Sequence, residues 1–198
     1  KSRQQDKDAS PDGKVVFPRY WNDPRFGIAR RTVPVVGITW WEANAFCKWL
    51  TEHWKDIPEY AAQADALRGK VVRLPTETEW NHAGGKGTYA WGELKKSEEI
   101  TRYANTAESG INRTTPAGMY PLGCTKETGI WDMSGNVWEW QANLYGEGSP
   151  WPEARGLRGG SWGGNGGRAR LAFRDHFAPP NSQWYYGGFR GVVASPPR

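Results

Sequence analysis

Two T-x-x-E sequences, Thr39 to Glu42 and Thr76 to Glu79, constrain the fold of this 198-residue chain most strongly. In such a capping box the threonine hydroxyl and the glutamate carboxylate each satisfy a backbone N–H that the first helical turn leaves open, so local chemistry fixes where a helix starts. After Thr39, residues Ala43, Phe46, Cys47 and Leu50 recur at helical spacing, which predicts one apolar face with Cys47 in the core. After Thr76 the helix is predicted to be short, to carry Trp80 toward the core and to end before Gly84 and Gly85. A weaker helical pattern covers Tyr60 to Leu67 and stops near Gly69. Pro34 to Ile38 reads as a strand, and Val71, Val72 and Leu74 form a short apolar run ending at Pro75.

Between and beyond these signals the chain is built for turns. Its 25 glycines and 14 prolines exclude a fold of long helices, while 13 tryptophans, 8 tyrosines and 6 phenylalanines supply the buried area of one sizeable domain, so the class is an irregular α+β fold. Residues 1–16 are polar and aperiodic, a flexible tail or linker, and 17–198 form the domain. The net charge of +5 is spread along the chain rather than clustered beside aromatics, so nucleic acid is not the expected partner. With two cysteines, no apolar run of membrane-spanning length and no leader, membrane insertion is not expected and a cytoplasmic location fits better than a secreted one. From Gly84 to Gly129 the pattern is loop-like. Its oxygen-bearing side chains, Asn105, Thr106, Glu108 and Asn112, are of the kind that calcium takes and equally of the kind that forms turn contacts.

The stretch Leu157 to Val193 stands apart. Two glycine-punctuated ends, which read as short strands, enclose a middle rich in glycine, arginine and aromatics that has no long regular period. Irregular segments on a rigid frame are where binding and catalytic groups concentrate. The middle contains Asn165, Arg168, Asp175, His176, Phe177, Asn181, Gln183, Trp184, Tyr185 and Tyr186, a mixture of rigid rings and adaptable amides that suits a binding surface. Three adjacent rings, Trp184 to Tyr186, cannot all face one core, so at least one is expected at the surface.

Five ordered motifs carry a family resemblance: PVVGITWWEANAFCKWL (Pro34 to Leu50), RLPTETEW (Arg73 to Trp80), IWDMSGNVWEW (Ile130 to Trp140), RGGSW (Arg158 to Trp162) and GFR (Gly188 to Arg190). Together they resemble the formylglycine-generating enzyme and sulfatase-modifying family over roughly Phe17 to Val193. The resemblance implies a C-type-lectin-like fold with little regular secondary structure, in which two main helices flank a small antiparallel sheet and the C-terminal strands close the domain. It also implies a calcium site at Asp132, Gly135, Val137 and Glu139, all four of which match, and a second at Asn105 and the carbonyl of Thr106, where the completing loop is shorter. Any such metal is structural.

An active oxidase of this family depends on two cysteines shortly after GGSW or GGSY, whose soft thiolates suit Cu(I). The matching stretch, Gly163 to Arg174, has none, and Cys47 and Cys124 lie elsewhere. The iron-dependent sulfur-inserting branch takes histidines from an extra helical domain, whereas His53, His82 and His176 are widely separated. No nucleophile–base set or phosphate-cradling loop replaces them, so no catalytic cofactor is expected. The order RGGSW, then Ala172-x-Arg174 and Pro179, then GFR resembles the variable proteins of diversity-generating retroelements. In those proteins adenine positions of the template, often in asparagine codons, are randomised; the resemblance makes Gly163, Gly164, Asn165, Arg168, Asp175, Phe177, Asn181, Tyr185 and Tyr186 diversified positions, while Trp184 is awkward for an asparagine codon changed only at its adenines. The function expected is a non-enzymatic module displaying a ligand-binding surface to a protein or other partner. A sulfatase-modifying oxidoreductase is the alternative, and a place within a larger chain is compatible with either.

Overall fold

The computed structural model describes residues 17–27, 31–61, 63–94, 96–147, 149–175 and 178–196; the expected tail, residues 1–16, lies outside them. Both capping boxes form. The Thr39 hydroxyl accepts from Glu42 N–H at 3.0 Å and Thr39 N–H donates to the Glu42 carboxylate at 2.6 Å, starting α1 (Trp40–His53). Thr76 and Glu79 repeat the arrangement at 3.2 and 2.8 Å to start α4 (Glu77–Gly84). Arg73 grips Glu79 through two hydrogen bonds, of 2.8 and 2.6 Å, and holds that carboxyl down at about 2.

Ala43 and Cys47 of α1 are buried as expected. Phe46 is not: it is 48% exposed, set against Trp49 and Phe189 instead of the core. A helical stripe wider than its partner surface leaves its edge residue outside. In α4, Trp80 is fully buried, and the helix runs one residue further than expected because Gly84 packs on Leu171, where a Cβ would come within 2.8 Å of the leucine side chain. Tyr60 to Leu67 divides into two single turns, α2 (Pro58–Ala61) and α3 (Ala64–Leu67).

Among the described residues the strands form two small sheets. β1 (Val71–Arg73) pairs antiparallel with β5 (Val192–Ala194), Val72 opposite Val193, so the end of the chain closes on the strand before α4. β2 (Trp138–Leu144) is central in a three-stranded sheet, antiparallel to β3 (Arg155–Arg158) and parallel to the two-residue β4 (Gly187–Gly188). The α+β expectation holds, with the single antiparallel sheet replaced by two, one of them mixed. Pro34 to Ile38 joins neither: it forms no ladder and bends at Gly37, with φ +73°, whose N–H reaches the carbonyls of Trp184 and Gly187 at 2.9 and 3.2 Å.

One core cluster lies between α1 and the sheets (Ile38, Ala43, Cys47, Leu74, Trp140, Leu157), and a second between α4 and the long loop (Trp80, Trp91, Ile100, Ala104, Met133, Leu171). That loop, 85–137, holds its shape with 3-10 turns at Ser97–Arg102, Ala107–Ser109 and Pro121–Gly123. A third, smaller cluster of Phe26, Val36, Val137 and Trp162 sits directly under the C-terminal surface.

Candidate ligand-binding surface

The C-terminal segment leaves β3 at Arg158 and turns sharply at Gly159 and Gly160, whose φ angles of +92° and +74° few residues but glycine adopt readily. At Gly160 space adds to conformation, since a Cβ would lie 2.9 Å from the backbone of Ala169. The turn is stitched to the Met133–Val137 loop: Gly135 N–H donates to Gly159 carbonyl at 2.7 Å and Trp162 N–H to Asn136 carbonyl at 2.9 Å.

Below this turn the Arg158 guanidinium, with its side chain 3% exposed, donates to the carbonyls of Leu171 and Phe173 at 3.0 Å each and to the Asn81 side chain, and lies 3.4 Å from Glu77. Burial lowers its pKa and the charge of Glu77 opposes that shift. Glu77 also takes both prongs of Arg174 at 2.8 and 2.7 Å, so one carboxylate fastens both sides of the loop. Gly166 N–H donates to the Glu108 carboxylate at 2.8 Å, and Ala107 N–H to Gly164 carbonyl at 2.9 Å. The loop is irregular in conformation yet pinned at each end and in the middle.

On its outer side a cavity of about 360 Å3 opens. It brings together Gly163, Gly164, Arg168, Asp175, Tyr185 and Tyr186, six of the residues singled out from sequence, although they span more than twenty positions. Gly163, Asn165, Arg168, Asn181 and Tyr185 are exposed. Of the three adjacent rings, Tyr185 is the outward one at 42% exposure, as expected of at least one. Asn165, Asn181, Gln183 and Trp184 do not line this cavity. Trp184 packs on Trp140 and Tyr186 with centroids 5.7 and 6.0 Å apart, and Gln183 donates to Glu42 at 3.1 Å, so these two bind the segment to the scaffold. His176 and Phe177 lie outside the described residues.

Sequence reasoning missed the inner wall. Trp138, Ser161, Trp162 and Ala107 also line the cavity, as does Asn112, which the sequence offers only as an oxygen ligand for a cation. Trp162 is 9% exposed, and its indole N–H has no hydrogen-bond partner among the described residues. The tryptophan of RGGSW reads as frame, and nothing local to the motif signals that its ring also backs a cavity.

The IWDMSGNVWEW loop supplies the candidate cation ligands. Asp132 adopts φ +58° and accepts from Gly118 N–H at 2.8 Å. Burial raises its carboxyl above the ordinary value; the Gly118 hydrogen bond and Arg190 oppose the shift, and Glu139 adds to it. Glu139 accepts from Trp80 Nε1 at 2.6 Å and from Arg190 Nε and Nη2 at 2.7 and 2.5 Å. At the expected second site Asn105 Oδ1 accepts from the Ser109 hydroxyl and the Thr106 carbonyl from Ser109 N–H, one hydrogen bond to each oxygen. Among the described residues no group of three or more His, Cys, Asp and Glu side chains is placed to hold a metal ion.

Neither thiol approaches the cavity. Cys47 is buried in α1, and burial pushes it up to about 11; Cys124 is half-buried, with its Sγ 3.4 Å from Thr125 carbonyl; both are free. A pKa that high leaves almost no thiolate near neutral pH.

Residues 16–195 match the model of the sulfatase-modifying factor enzyme 1-like domain. The chain is 32% identical over 174 residues to the inactive C-alpha-formylglycine-generating enzyme 2 of Bos taurus, covering 78% of this chain and 50% of that protein. It is 27% identical over 208 residues to hercynine oxygenase of Mycolicibacterium smegmatis, covering 87% and 42%. It thus spans about half the length of the curated relatives it matches, or somewhat less. Treponema denticola variable protein 1 superposes with a TM-score of 0.65 at 22% identity, covering 83% of this chain and 72% of that one. The C-type-lectin-like fold expected from the motifs is shared with these neighbours.

Proposed function

The chain belongs to the sulfatase-modifying factor enzyme 1-like family, and from that premise we propose that it is a non-enzymatic member that binds a ligand through the surface of its C-terminal segment. One observation carries the proposal: the position after RGGSW where the oxidases need thiolates is occupied by a cysteine-free loop, and its Arg168 shares a cavity with Tyr185 and Tyr186. Aromatic rings with few side-chain torsions give contact area at low entropic cost, and a loop pinned by Glu77, Glu108 and Arg158 is pre-organised to use it. The inactive label of the bovine relative and the name of the Treponema variable protein are compatible with this reading. No helix among the described residues is long and apolar enough to cross a membrane.

The oxidoreductase reading is separated by chemistry. Incubated with copper and a cysteine-containing peptide, the protein is expected to leave the peptide mass unchanged. An aldehyde product above the copper-only control refutes the non-enzymatic assignment.

Calcium held by Asp132, Glu139 and the carbonyls of Gly135 and Val137 is part of the proposal. The donor set fits a hard cation: every ligand is an oxygen, and two carboxylates facing the single guanidinium of Arg190 leave one negative charge over. A carboxylate offers about four lone-pair sites, and Glu139 has used three. Bound calcium would fasten a loop that has little ladder of its own. EDTA is expected to lower the melting temperature, added calcium to restore it, and Asp132→Asn to abolish the response. A melting temperature indifferent to both additions removes calcium from the account.

A further inference from the structure

Four arginines of the C-terminal half differ in one respect. Arg158, Arg174 and Arg190 each meet a carboxylate, at 3.4, 2.7 and 2.5 Å, and hold the frame. Arg168 stands exposed on the cavity wall, and its guanidinium has no hydrogen bond or ion pair with any described residue. It is not loosely mounted. Its 3-10 turn, Gly166–Ala169, is closed by Arg168 N–H on Asn165 carbonyl at 2.9 Å, with Ala169 packed against Gly160.

The same cavity has a ready-made aromatic platform. Trp162 and Tyr185 on its wall make a triangle of rings with the buried Phe26 behind them, centroids 5.6 to 5.7 Å apart, and Tyr186 stands edge-on to Tyr185 at 5.0 Å. Mutual packing fixes Tyr185 while leaving 42% of it open, so a flat group can settle on it without an ordering penalty.

Resting on the reading of this surface as a ligand site, we infer that the cavity takes a single carboxylate carried beside an aromatic group, as in a small aromatic acid or at the C-terminus of a polypeptide ending in phenylalanine. A guanidinium matches the planar carboxylate with two parallel N–H donors. Asp175 lines the same cavity, so its charge balances that of Arg168 and disfavours a dianion such as a phosphate monoester. A volume of about 360 Å3 holds a group the size of one side chain, not an extended segment.

The test is an NMR titration of the 15N-labelled full chain, following the amides of Ser161, Gly163, Gly164 and Arg168. The probes are N-acetylphenylalanine, its amide, and Gly-Gly-Gly-Phe with a free or an amidated C-terminus. Each acid is expected to bind roughly tenfold more tightly than its amide, the scale of one charge-assisted bidentate contact. Arg168→Gln should erase that difference and Arg170→Gln should keep it, while Tyr185→Ala should weaken acid and amide alike. Unchanged amide spectra outside the cavity confirm that the variants fold. A free-acid peptide binding more tightly than N-acetylphenylalanine supports a polypeptide terminus as the source, and equal affinities support a small acid. Acid and amide binding equally, with both lost in Tyr185→Ala, overturns the carboxylate assignment and leaves the surface a ligand site. Shifts elsewhere, or none, overturn the inference outright, and the wider reading then rests on the comparison of isolates that closes the Discussion.

Discussion

Glu139→Ala, measured by urea unfolding in the presence of EDTA, is expected to lower the unfolding free energy by about 3–5 kcal/mol, the range for stranding one member of a buried ion pair. Glu139 is 4% exposed, and its carboxylate is the acceptor for Trp80 Nε1 and for two nitrogens of Arg190. Without it a fully buried indole N–H and a guanidinium lose their acceptor together. Arg190 keeps weaker contacts to the carbonyls of Trp131 and Asp132, at 3.1 and 3.3 Å, which offset part of the loss. The comparison is Glu79→Gln, at an ion pair whose two side chains are 31% and 41% exposed. There the loss should stay near 1 kcal/mol or below, as for surface pairs. Equal effects at the two sites would mean that the junction of IWDMSGNVWEW, RLPTETEW and GFR is not where the fold is fastened.

Arg158→Met is expected to cost about 3 kcal/mol, since hydrogen bonds to a charged donor contribute about 1.5–3 kcal/mol each and do not add fully. The lost partners are the carbonyls of Leu171 and Phe173 and the side chain of Asn81. Glu77 stays paired through Arg174, so no carboxylate is stranded and the loss stays below the largest values for broken buried pairs. The more telling readout is hydrogen exchange. Amides of 166–173 should exchange faster in this variant while those of β2 stay protected, because Arg158 fastens the loop and β2 is central in its own ladder. In Arg168→Gln, where no hydrogen bond or ion pair with a described residue is lost, stability should change by less than about 0.5 kcal/mol. An Arg158→Met protein with native stability and unaltered exchange would show that the loop is held by something other than this clamp.

What was legible in the sequence was local or carried by motifs. Thr39 with Glu42 and Thr76 with Glu79 declare helix starts within four residues, and both form as read. The cysteine-free stretch after RGGSW, and the need for an outward ring among Trp184, Tyr185 and Tyr186, are also visible without coordinates. What was hidden depends on distant pairing. Pro34 to Ile38 has the composition of a strand, yet Gly37 finds its carbonyls on Trp184 and Gly187 and never joins a ladder. Phe46 lies on the apolar stripe of α1, but the neighbouring Phe189 covers it only in part. The glutamate of WEW can be picked out as a metal ligand, whereas its bond to an arginine fifty-one positions later cannot. The cavity itself forms because the turn at Gly159 and Gly160 brings Trp162 under Tyr185.

The measurement that bears most directly on the central claim is the sequence of this chain from independent isolates of its source. Substitutions are predicted to fall between Gly163 and Tyr186 and to favour the exposed positions Gly163, Asn165, Arg168, Asn181 and Tyr185. The residues that hold the frame, Glu77, Glu139, Arg158, Gly160 and Arg190, should not vary. Substitutions spread evenly along the chain, with the cavity wall no more variable than the helices, would contradict the reading of this surface as a diversified display.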